Sequence, residues 1–314
     1  MIITVTTNPS VDRTISVPVL RNGSVNRVEM LSVDPGGKGV NVSRALKAFG
    51  TETFAVVVCG SFGSRWFDER LNSQKIPHKI LLADGITRCN STIVEANGSV
   101  TKINEPGFAL TDEMLHSVRD ALSELNLLDN WVVLAGRLNP EATLSEYQIL
   151  TDFAHSLGAR VAVDASGEEL RVVAQNSRPE LIKPNQHELA ELVGRELHTV
   201  QDVIDAGREV IGWGVGSVLC SLGADGALFV TPSDVTHVEP VTPVVGVPVG
   251  AGDILLATFL AAGANGDALK TAVSWSAASV PLEGTSIPNH EQAQAVQIKV
   301  NSIFDANRVL VEVA

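Results

Sequence analysis

Short runs of apolar residues recur along the chain, and a turn containing glycine, asparagine or aspartate follows most of them. Apolar runs bounded by turn residues are typical of strands that are buried on both faces. Because strands that alternate with helical segments form parallel sheets, the pattern predicts a mainly parallel sheet with helices on both faces. The predicted strands lie at residues 2–6, 54–58, 131–135, 160–164, 181–183 and 217–221.

Polar and apolar residues alternate instead in two stretches, at about residues 13–34 and 89–105. This period of two predicts strands with one face in water. The second stretch contains Asn97-Gly98, a strong signal for a tight hairpin. We interpret both stretches as a small β-sheet that projects from the main domain as a lid. The predicted fold class is therefore α/β, with one domain over residues 1–314 and the lid strands inserted into it.

Composition limits the partners that this chain can have. The formal net charge is −13 over 314 residues, which argues against a nucleic acid or an anionic membrane surface. The longest apolar runs are too short for a membrane span. Three cysteines (Cys59, Cys89 and Cys220) without CxxC spacing favour a reducing compartment, so we expect a cytoplasmic protein.

Gly250-Ala251-Gly252-Asp253 precedes an apolar segment that is expected to be helical. A turn of this kind directs several backbone N–H groups to one point at the positive end of a helix dipole, which creates an anion site. Asp253 could accept a proton from an attacking hydroxyl there, so the stretch has the parts that phosphoryl transfer requires. The alternative is an ordinary strand-to-helix turn in which Asp253 caps the helix.

Two earlier stretches offer polar groups to a small ligand. Asp12 lies just past a strand end, where open α/β sheets bind ligands, although it could equally be a turn residue. Residues 35–46 run from glycine-rich backbone into a helix, so a sugar ring could approach while Lys38 and Asn41 donate hydrogen bonds. The spacing is not that of a Walker loop, and a simple loop before a helix is the alternative.

Three further features are compatible with a nucleotide and a phosphate. Asn185 and Glu188 share one helical face and could orient water around magnesium, although they could equally cap the helix. Small residues at 221–226 would let phosphates approach backbone amides. Arg88 is either a solvated surface residue or a phosphate ligand, since arginine matches phosphate oxygens with two parallel bonds.

These motifs follow one order along the chain: Asp12, GGKGVN at 36–41, KPNQHEL at 183–189, SLGADG at 221–226 and GAGD at 250–253. The ordered set resembles the ribokinase-like carbohydrate kinases. Residues 8–14, Thr87-Arg88, 163–167 and 283–285 are similar to the branch that contains 1-phosphofructokinase, tagatose-6-phosphate kinase and the minor 6-phosphofructokinase. The resemblance covers essentially residues 1–314.

The resemblance implies an ATP- and Mg²⁺-dependent sugar-phosphate kinase, most closely one that converts fructose 1-phosphate to fructose 1,6-bisphosphate, and a homodimer formed through the lid. Asp253 would be the catalytic base, and the amides of Gly250, Ala251 and Gly252 would form the anion hole. The phosphorylated ketohexose would contact Asp12, Gly37, Lys38, Asn41, Arg88, Arg27 and Arg137. ATP would contact Lys183, Asn185, Ser221, Gly223 and Gly226, and hydrated Mg²⁺ would contact Asn185 and Glu188.

Three positions depart from the pattern of this branch. Arg137 replaces a serine that is usual near the substrate phosphate, so it could strengthen that contact or block the pocket. Pro248 replaces a threonine, and Ile254 replaces a small or hydroxyl residue. The departures leave tagatose 6-phosphate and fructose 6-phosphate as alternative substrates, and a non-catalytic sugar-phosphate-binding regulator as an alternative of another class. A dinucleotide-binding oxidoreductase is excluded because no GxGxxG follows the first strand.

Overall fold

The structure is a computed structural model that describes residues 1–137, 145–246, 249–301, 305 and 308–311. The strands in chain order are β1 (Ile2–Thr6), β2 (Ser10–Val17), β3 (Glu29–Gly36), β4 (Thr53–Phe62), β5 (His78–Ile86), β6 (Arg88–Glu95), β7 (Val100–Asn104), β8 (Trp131–Ala135), β9 (Arg160–Asp164), β10 (Leu181–Ile182), β11 (Val218–Ser221), β12 (Ala227–Val230), β13 (Val235–Pro240) and β14 (Ile298–Asn301). The helices are α1 (Lys38–Phe49), α2 (Ser64–Ser73), α3 (Asp112–Ser123), α4 (Glu146–Ser156), α5 (Gly167–Asn176), α6 (Gln186–Val193), α7 (Val200–Gly212), α8 (Ala251–Ala261), α9 (Ala268–Ser279) and α10 (His290–Ala295).

The described strands form two sheets. The large sheet has the order β14-β13-β12-β11-β10-β9-β8-β1-β4-β5. The last seven strands in this order, from β11 to β5, pair in parallel, and β12, β13 and β14 add an antiparallel edge beside β11. The small sheet has the order β3-β2-β6-β7. The predicted α/β fold with a mainly parallel sheet and a second, smaller sheet is therefore confirmed.

Both faces of the large sheet are covered by hydrophobic clusters, as a strand with an unbroken apolar run requires. In β8, Val132 and Leu134 face the cluster that includes α3 to α7, whereas Trp131 and Val133 face the cluster built on α1, α8 and α9. Neighbouring residues of one strand thus enter opposite layers, as the pleat dictates. None of the helices among the described residues is long and apolar enough to cross a membrane.

The chain passes directly from the large sheet to the small one at the carboxyl edge of β1. Ser10, which begins β2, pairs with Gly36 of β3, and α1 begins immediately afterwards. The carboxyl ends of β9, β10 and β11 lie at the same edge because these strands are parallel. This edge therefore gathers the polar residues that follow several strands, as in other open α/β sheets.

Element boundaries differ from the predictions in several places. Strand β4 extends to Phe62, and the edge strand β5 was not predicted. The small-sheet strands span residues 10–36 and 88–104, close to the predicted 13–34 and 89–105. Pro248, one of the three departures from the branch pattern, lies outside the described residues.

Candidate active site

Two adjacent cavities open at the carboxyl edge of the large sheet, and Gly246 and Val280 line both. The first, which we call the α8 cavity, has a volume of about 690 Å³. The second, which we call the small-sheet cavity, has a volume of about 550 Å³. The polar residues of the α8 cavity include Lys38, Asp164, Lys183, Asn185, Glu188, Ser221 and Asp253, and those of the small-sheet cavity include Asp12, Asp34, Asn90 and Thr285.

The first turn of α8 faces the α8 cavity. Gly250 precedes the helix with φ +76°, a left-handed conformation that glycine adopts without strain. A Cβ on Gly252 would lie 3.3 Å from Lys183 Nζ, so glycine at this position lets the ammonium group approach the helix end. The turn therefore brings the N-terminal end of a helix next to a buried cation, an arrangement that suits an anion.

Gly250 is the N-cap residue of α8 and offers no side chain to cap the helix, and Asp253 lies within the first turn. Its Oδ2 accepts a hydrogen bond from Asn41 Nδ2 at 2.9 Å. Burial, followed by the charge of Asp164, raises the pKa of Asp253 to about 7, against the opposing effects of Lys38, Asn41 and Lys183. A carboxyl group with a pKa near neutrality is suited to accept a proton under physiological conditions.

Asp164 ends β9 and holds two lysines together beside Asp253. Lys38 Nζ donates to Asp164 Oδ1 at 2.8 Å, and Lys183 Nζ lies 3.0 Å from Asp164 Oδ2. Burial alone would raise the pKa of Asp164, but Lys183 and Lys38 hold it below its ordinary value. In Lys38 burial acts to lower the pKa, and Asp164 and Glu188 raise it. Both lysine side chains are thus held beside Asp253 by the Asp164 carboxylate.

Asn185 and Glu188 form a capping box at the start of α6. Asn185 Oδ1 accepts from Glu188 N, and Glu188 Oε2 accepts from Asn185 N, both at 2.8 Å. Glu188 Oε1 lies 3.9 Å from Lys38 Nζ. The capping alternative is thus observed, and it leaves one carboxylate oxygen directed to the cavity.

The chemistry of these donors limits the metal that they could hold. Among the described residues, no group of three His, Cys, Asp or Glu side chains could hold a metal ion by itself. Mg²⁺ commonly keeps several water ligands and is bound through substrate phosphates and one or two carboxylates. Glu188 and Asn185 therefore fit hydrated Mg²⁺ carried by a nucleotide, and not a cage made of protein ligands.

The loop after β11 lines the opposite side of the α8 cavity through Ser221, Gly223 and Gly226. Gly226 has φ +79°, and a Cβ there would lie 2.0 Å from the carbonyl oxygen of Val238. Only glycine fits at this position, so the loop packs tightly on β13. Small residues at the cavity surface leave room for a phosphate or a ribose.

Asp12 lies in the small-sheet cavity, on the face of β2. Its Oδ1 accepts hydrogen bonds from Ser10 Oγ at 2.6 Å and Asn90 Nδ2 at 3.1 Å. A Cβ on Gly36 would lie 2.1 Å from Asp12 Oδ2, so this glycine makes room for the carboxylate. Burial raises the pKa of Asp12, and its hydrogen bonds and Arg88 oppose that rise.

Arg44, which the sequence interpretation missed, connects the two cavities. Its Nη1 donates to Thr285 Oγ1 at 2.8 Å and to Asn41 Oδ1 at 3.5 Å, while Nη2 lies 3.7 Å from Asp34. Asn41 in turn donates to Asp253. A line of contacts therefore runs from the wall of the small-sheet cavity to the carboxylate in the α8 cavity. Gly37, with φ +112°, is the N-cap residue before the helix that carries Asn41 and Arg44.

The three arginines predicted at the substrate phosphate do not all meet. Arg88 donates to Asn8 O at 3.1 Å. Burial holds the pKa of Arg88 below its ordinary value; the charge of Asp12 opposes this shift, and the charge of Arg137 adds to it. Arg27 is exposed and precedes β3 at the far end of the small sheet, about 20 Å from Arg88 by the strand register. Arg27 therefore does not join Arg88 within one chain. The residue of β3 that lies at the same end of the small sheet as Arg88 is Gly36.

Lys38, which was predicted to contact the sugar, does not line the small-sheet cavity. Its side chain lines the α8 cavity together with Lys183. Asp164 was absent from the predicted site altogether. The sequence did contain a signal for Asp164, because it ends the apolar strand VAVD. Residues at the carboxyl ends of strands bind ligands in open α/β sheets, and Asp12 had been selected for this reason.

The first turn of α8, a buried carboxylate and two lysines lie beside a second polar cavity on a ribokinase-like fold, an arrangement that suits phosphoryl transfer to a small acceptor. The chain belongs to the pfkB family of carbohydrate kinases, whose family pattern matches residues 5–290. It is therefore a kinase that transfers phosphate to a sugar hydroxyl, and membership of this family implies ATP as a substrate.

Individual relatives cover almost the whole chain. A 1-phosphofructokinase from Rhodobacter capsulatus is 33% identical over 302 residues, which are 94% of this chain and 95% of that protein. A 1-phosphofructokinase from Haloferax volcanii is 34% identical over 300 residues, covering 93% and 94% of the two chains. The solved structure of phosphofructokinase-2 from Escherichia coli is similar with a TM-score of 0.88, at 30% identity over 94% of this chain and 97% of that one.

Proposed function

We propose that this chain is a 1-phosphofructokinase that transfers the γ-phosphoryl group of ATP to O6 of fructose 1-phosphate. The observation that carries the proposal is the position of Asp253, which lines the α8 cavity and is linked through Asn41 and Arg44 to the wall of the small-sheet cavity. ATP would occupy the α8 cavity and the sugar phosphate the small-sheet cavity. The relatives named 1-phosphofructokinase support this choice of substrate.

In the proposed reaction, Asp253 accepts the proton of the C6 hydroxyl as O6 attacks the γ-phosphorus. The bond from that phosphorus to the β,γ-bridging oxygen breaks, and ADP leaves with the bridging oxygen. Charge on the transferred group is stabilised by the backbone amides of Gly250, Ala251 and Gly252 and by Lys183, in agreement with the electrostatic character of such catalysis. Mg²⁺, carried by ATP near Asn185 and Glu188, would neutralise part of the phosphate charge.

The sugar phosphate would be recognised from both ends. Asp12 and Asn41 would contact hydroxyl groups, with the backbone at Gly37 giving room for the ring. Arg88 and Arg137 would bind the phosphate that the substrate already carries. Support comes from Arg88 Nε, which is buried without a hydrogen-bond partner among the described residues, since an unpaired buried guanidinium nitrogen is costly unless a ligand pairs with it.

We also propose that the small sheet acts as a lid and as the contact of a homodimer in the cytoplasm, where ATP and sugar phosphates are found. Exposed apolar side chains on or beside its strands support a dimer contact, since a monomer rarely leaves such a patch in water. They are Val25, Val28, Met30, Leu31 and Ile103. Closure over the substrate would exclude water, which competes as a phosphoryl acceptor.

A second candidate is a 6-phosphofructokinase. It is favoured by the similarity to Escherichia coli phosphofructokinase-2, which was also solved in complex with fructose 6-phosphate and matches this chain with a TM-score of 0.84. Tagatose 6-phosphate, the other substrate predicted for this branch, presents its phosphate at the same carbon. A regulator without turnover is disfavoured by the intact set of Asp253, Lys183 and Asp164.

The catalytic role of Asp253 is tested by Asp253→Asn, which keeps the shape of the side chain and removes its ability to accept a proton. We expect turnover to fall by about 10²–10⁴-fold, while calorimetric Kd values for ATP and fructose 1-phosphate change little. The control is Asp267→Asn, an exposed aspartate before α9. Turnover of Asp253→Asn within twofold of the parent protein would rule out this role.

A further inference from the structure

The loop at residues 221–226 has two sides, and only one of them belongs to the α8 cavity. Ser221, Gly223 and Gly226 line the cavity. Asp225, which is 3% exposed, instead directs its carboxylate to residues near the carboxyl end of the chain. Arg308 Nη2 contacts Asp225 Oδ1, and Val311 N donates to Asp225 Oδ2 at 2.7 Å. A segment remote in sequence therefore holds the loop on the side that faces away from the α8 cavity.

Strand β13 supplies the second half of this attachment. Arg308 Nη1 lies 2.6 Å from Glu239 Oε2, so one guanidinium joins a carboxylate of the loop to a carboxylate of the strand. Asn301 Nδ2 donates to Glu239 Oε1 and lies 3.0 Å from His237 Nδ1. His237 Nε2–H then donates to the backbone oxygen of Asp225 at 2.8 Å.

The segment at 308–311, which we call the C-terminal strap, is itself anchored at the start of α7. Val200 N donates to Arg308 O at 3.1 Å, and Leu310 N donates to His198 O at 2.9 Å. Leu310 is 5% exposed and packs into the hydrophobic cluster of α3 to α7. The strap thus has a fixed position from which Arg308 reaches the loop.

We propose that Arg308 and Asp225 are positioning residues for the nucleotide, because the C-terminal strap fixes the loop that lines the α8 cavity. The inference rests on the proposed binding of ATP in that cavity. Neither side chain touches the cavity, so their effect is on the conformation of Ser221, Gly223 and Gly226. Loss of the strap contact leaves a buried carboxylate without its cation and lets the loop adopt conformations that bind nucleotide less well.

Variants of the ion pair test this inference through the two Michaelis constants. Arg308→Met and Asp225→Asn are each expected to raise KM for ATP about tenfold, as loss of a charge-assisted hydrogen bond would, with KM for fructose 1-phosphate within twofold. Arg308→Lys should recover part of the affinity for ATP. The control is Arg195→Met, which removes an arginine from a more exposed ion pair, with Glu209 at 2.5 Å. Equal changes in both Michaelis constants, or none, would overturn the positioning role.

A second measurement uses the unmodified protein, so it does not depend on variants that fold. Coupling is reciprocal: if the strap favours the nucleotide-binding loop, nucleotide must stabilise the strap. Hydrogen exchange of peptides covering 308–311 should slow with saturating ADP and not with fructose 1-phosphate alone. Protection at 221–226 without protection at 308–311 would contradict the inference about the strap. Absence of protection at 221–226 would contradict the proposed nucleotide site instead.

Discussion

At Asp253, burial and hydrogen bonding act on the pKa in opposite directions. Burial and the charge of Asp164 raise it, while Lys38, the Asn41 amide and Lys183 lower it, and the balance lies at about 7. A carboxylate with the ordinary pKa of an aspartate would be a weaker base. A carboxyl group that burial and Asp164 affected without the opposing lysines and Asn41 would stay protonated. The surrounding residues therefore keep Asp253 near the pH at which it must act.

This balance predicts a pH dependence. Asp253 must be ionised to act as a base. At pH values lower than about 7, kcat/KM for fructose 1-phosphate should therefore decrease by about tenfold per pH unit. Asn41→Leu removes a hydrogen bond that lowers the pKa of Asp253, and the acid limb should therefore move to higher pH. Asn72→Leu, which breaks a surface contact between asparagine and Asp68, is the matched control. An acid limb that stays in place in Asn41→Leu would contradict this account of Asp253.

Arg88 gives a prediction about the substrate phosphate. Arg88→Ala should raise KM for fructose 1-phosphate by at least about tenfold, since a charge-assisted hydrogen bond contributes about 1.5–3 kcal/mol. KM for ATP should stay within twofold. Arg65→Ala, an exposed arginine on α2, controls for the loss of a positive charge. A rise in the two Michaelis constants by the same factor would show that Arg88 does not act on the sugar phosphate.

At the residue scale, the sequence predicted Asp253 beside two glycines at the start of a helix, and the structure has it in the first turn of α8, where it lines the α8 cavity. Sequence reasoning missed Asp164 and Arg44 because their roles depend on contacts with residues far away in the chain. Lys38 and Asp164 are 126 positions apart, and Arg44 and Thr285 are 241 apart. It misplaced Arg27 because the register of β2 and β3, which no local pattern fixes, decides which end of the strand meets the cavity.

Among the elements, buried strands were the easiest to predict. Strands β1, β8 and β9 have the predicted bounds, because a continuous apolar run leaves little choice of conformation. Edge strand β5 was missed because lysine, aspartate and glycine interrupt its apolar residues, and because it pairs only with β4 among the described strands. The small sheet was predicted from alternation, but its parallel pairing of β2 with β6 came only from the structure.

The small sheet also carries a prediction at this scale. If it closes as a lid, peptides from β2, β3, β6 and β7 should exchange hydrogen more slowly when fructose 1-phosphate and a non-hydrolysable ATP analogue are both bound. Helix α10, which packs beside α9 away from the small sheet, should serve as an internal control. Exchange in all four strands that is unaffected by the ligands would argue that the small sheet does not move on substrate binding.

For the whole molecule, charge is distributed unevenly. The formal net charge is −13, yet Lys38, Lys183, Arg44 and Arg88 lie around the two cavities. The negative net charge disfavours nucleic acids, whereas these local cations can bind the anionic groups of a small ligand. Cations beside both cavities suit a reaction between two phosphorylated substrates.

The central claim is that the acceptor is fructose 1-phosphate, and one comparison tests it most directly. The measurement is kcat/KM with Mg²⁺ and ATP for fructose 1-phosphate, fructose 6-phosphate, tagatose 6-phosphate and free fructose, followed as ADP release. The account predicts the highest value for fructose 1-phosphate, whose C6 hydroxyl is uncrowded and opposite its phosphate. It predicts a poor value for free fructose, which would leave the buried Arg88 Nε without the partner that it also lacks among the described residues. A higher kcat/KM for fructose 6-phosphate, tagatose 6-phosphate or free fructose would contradict it.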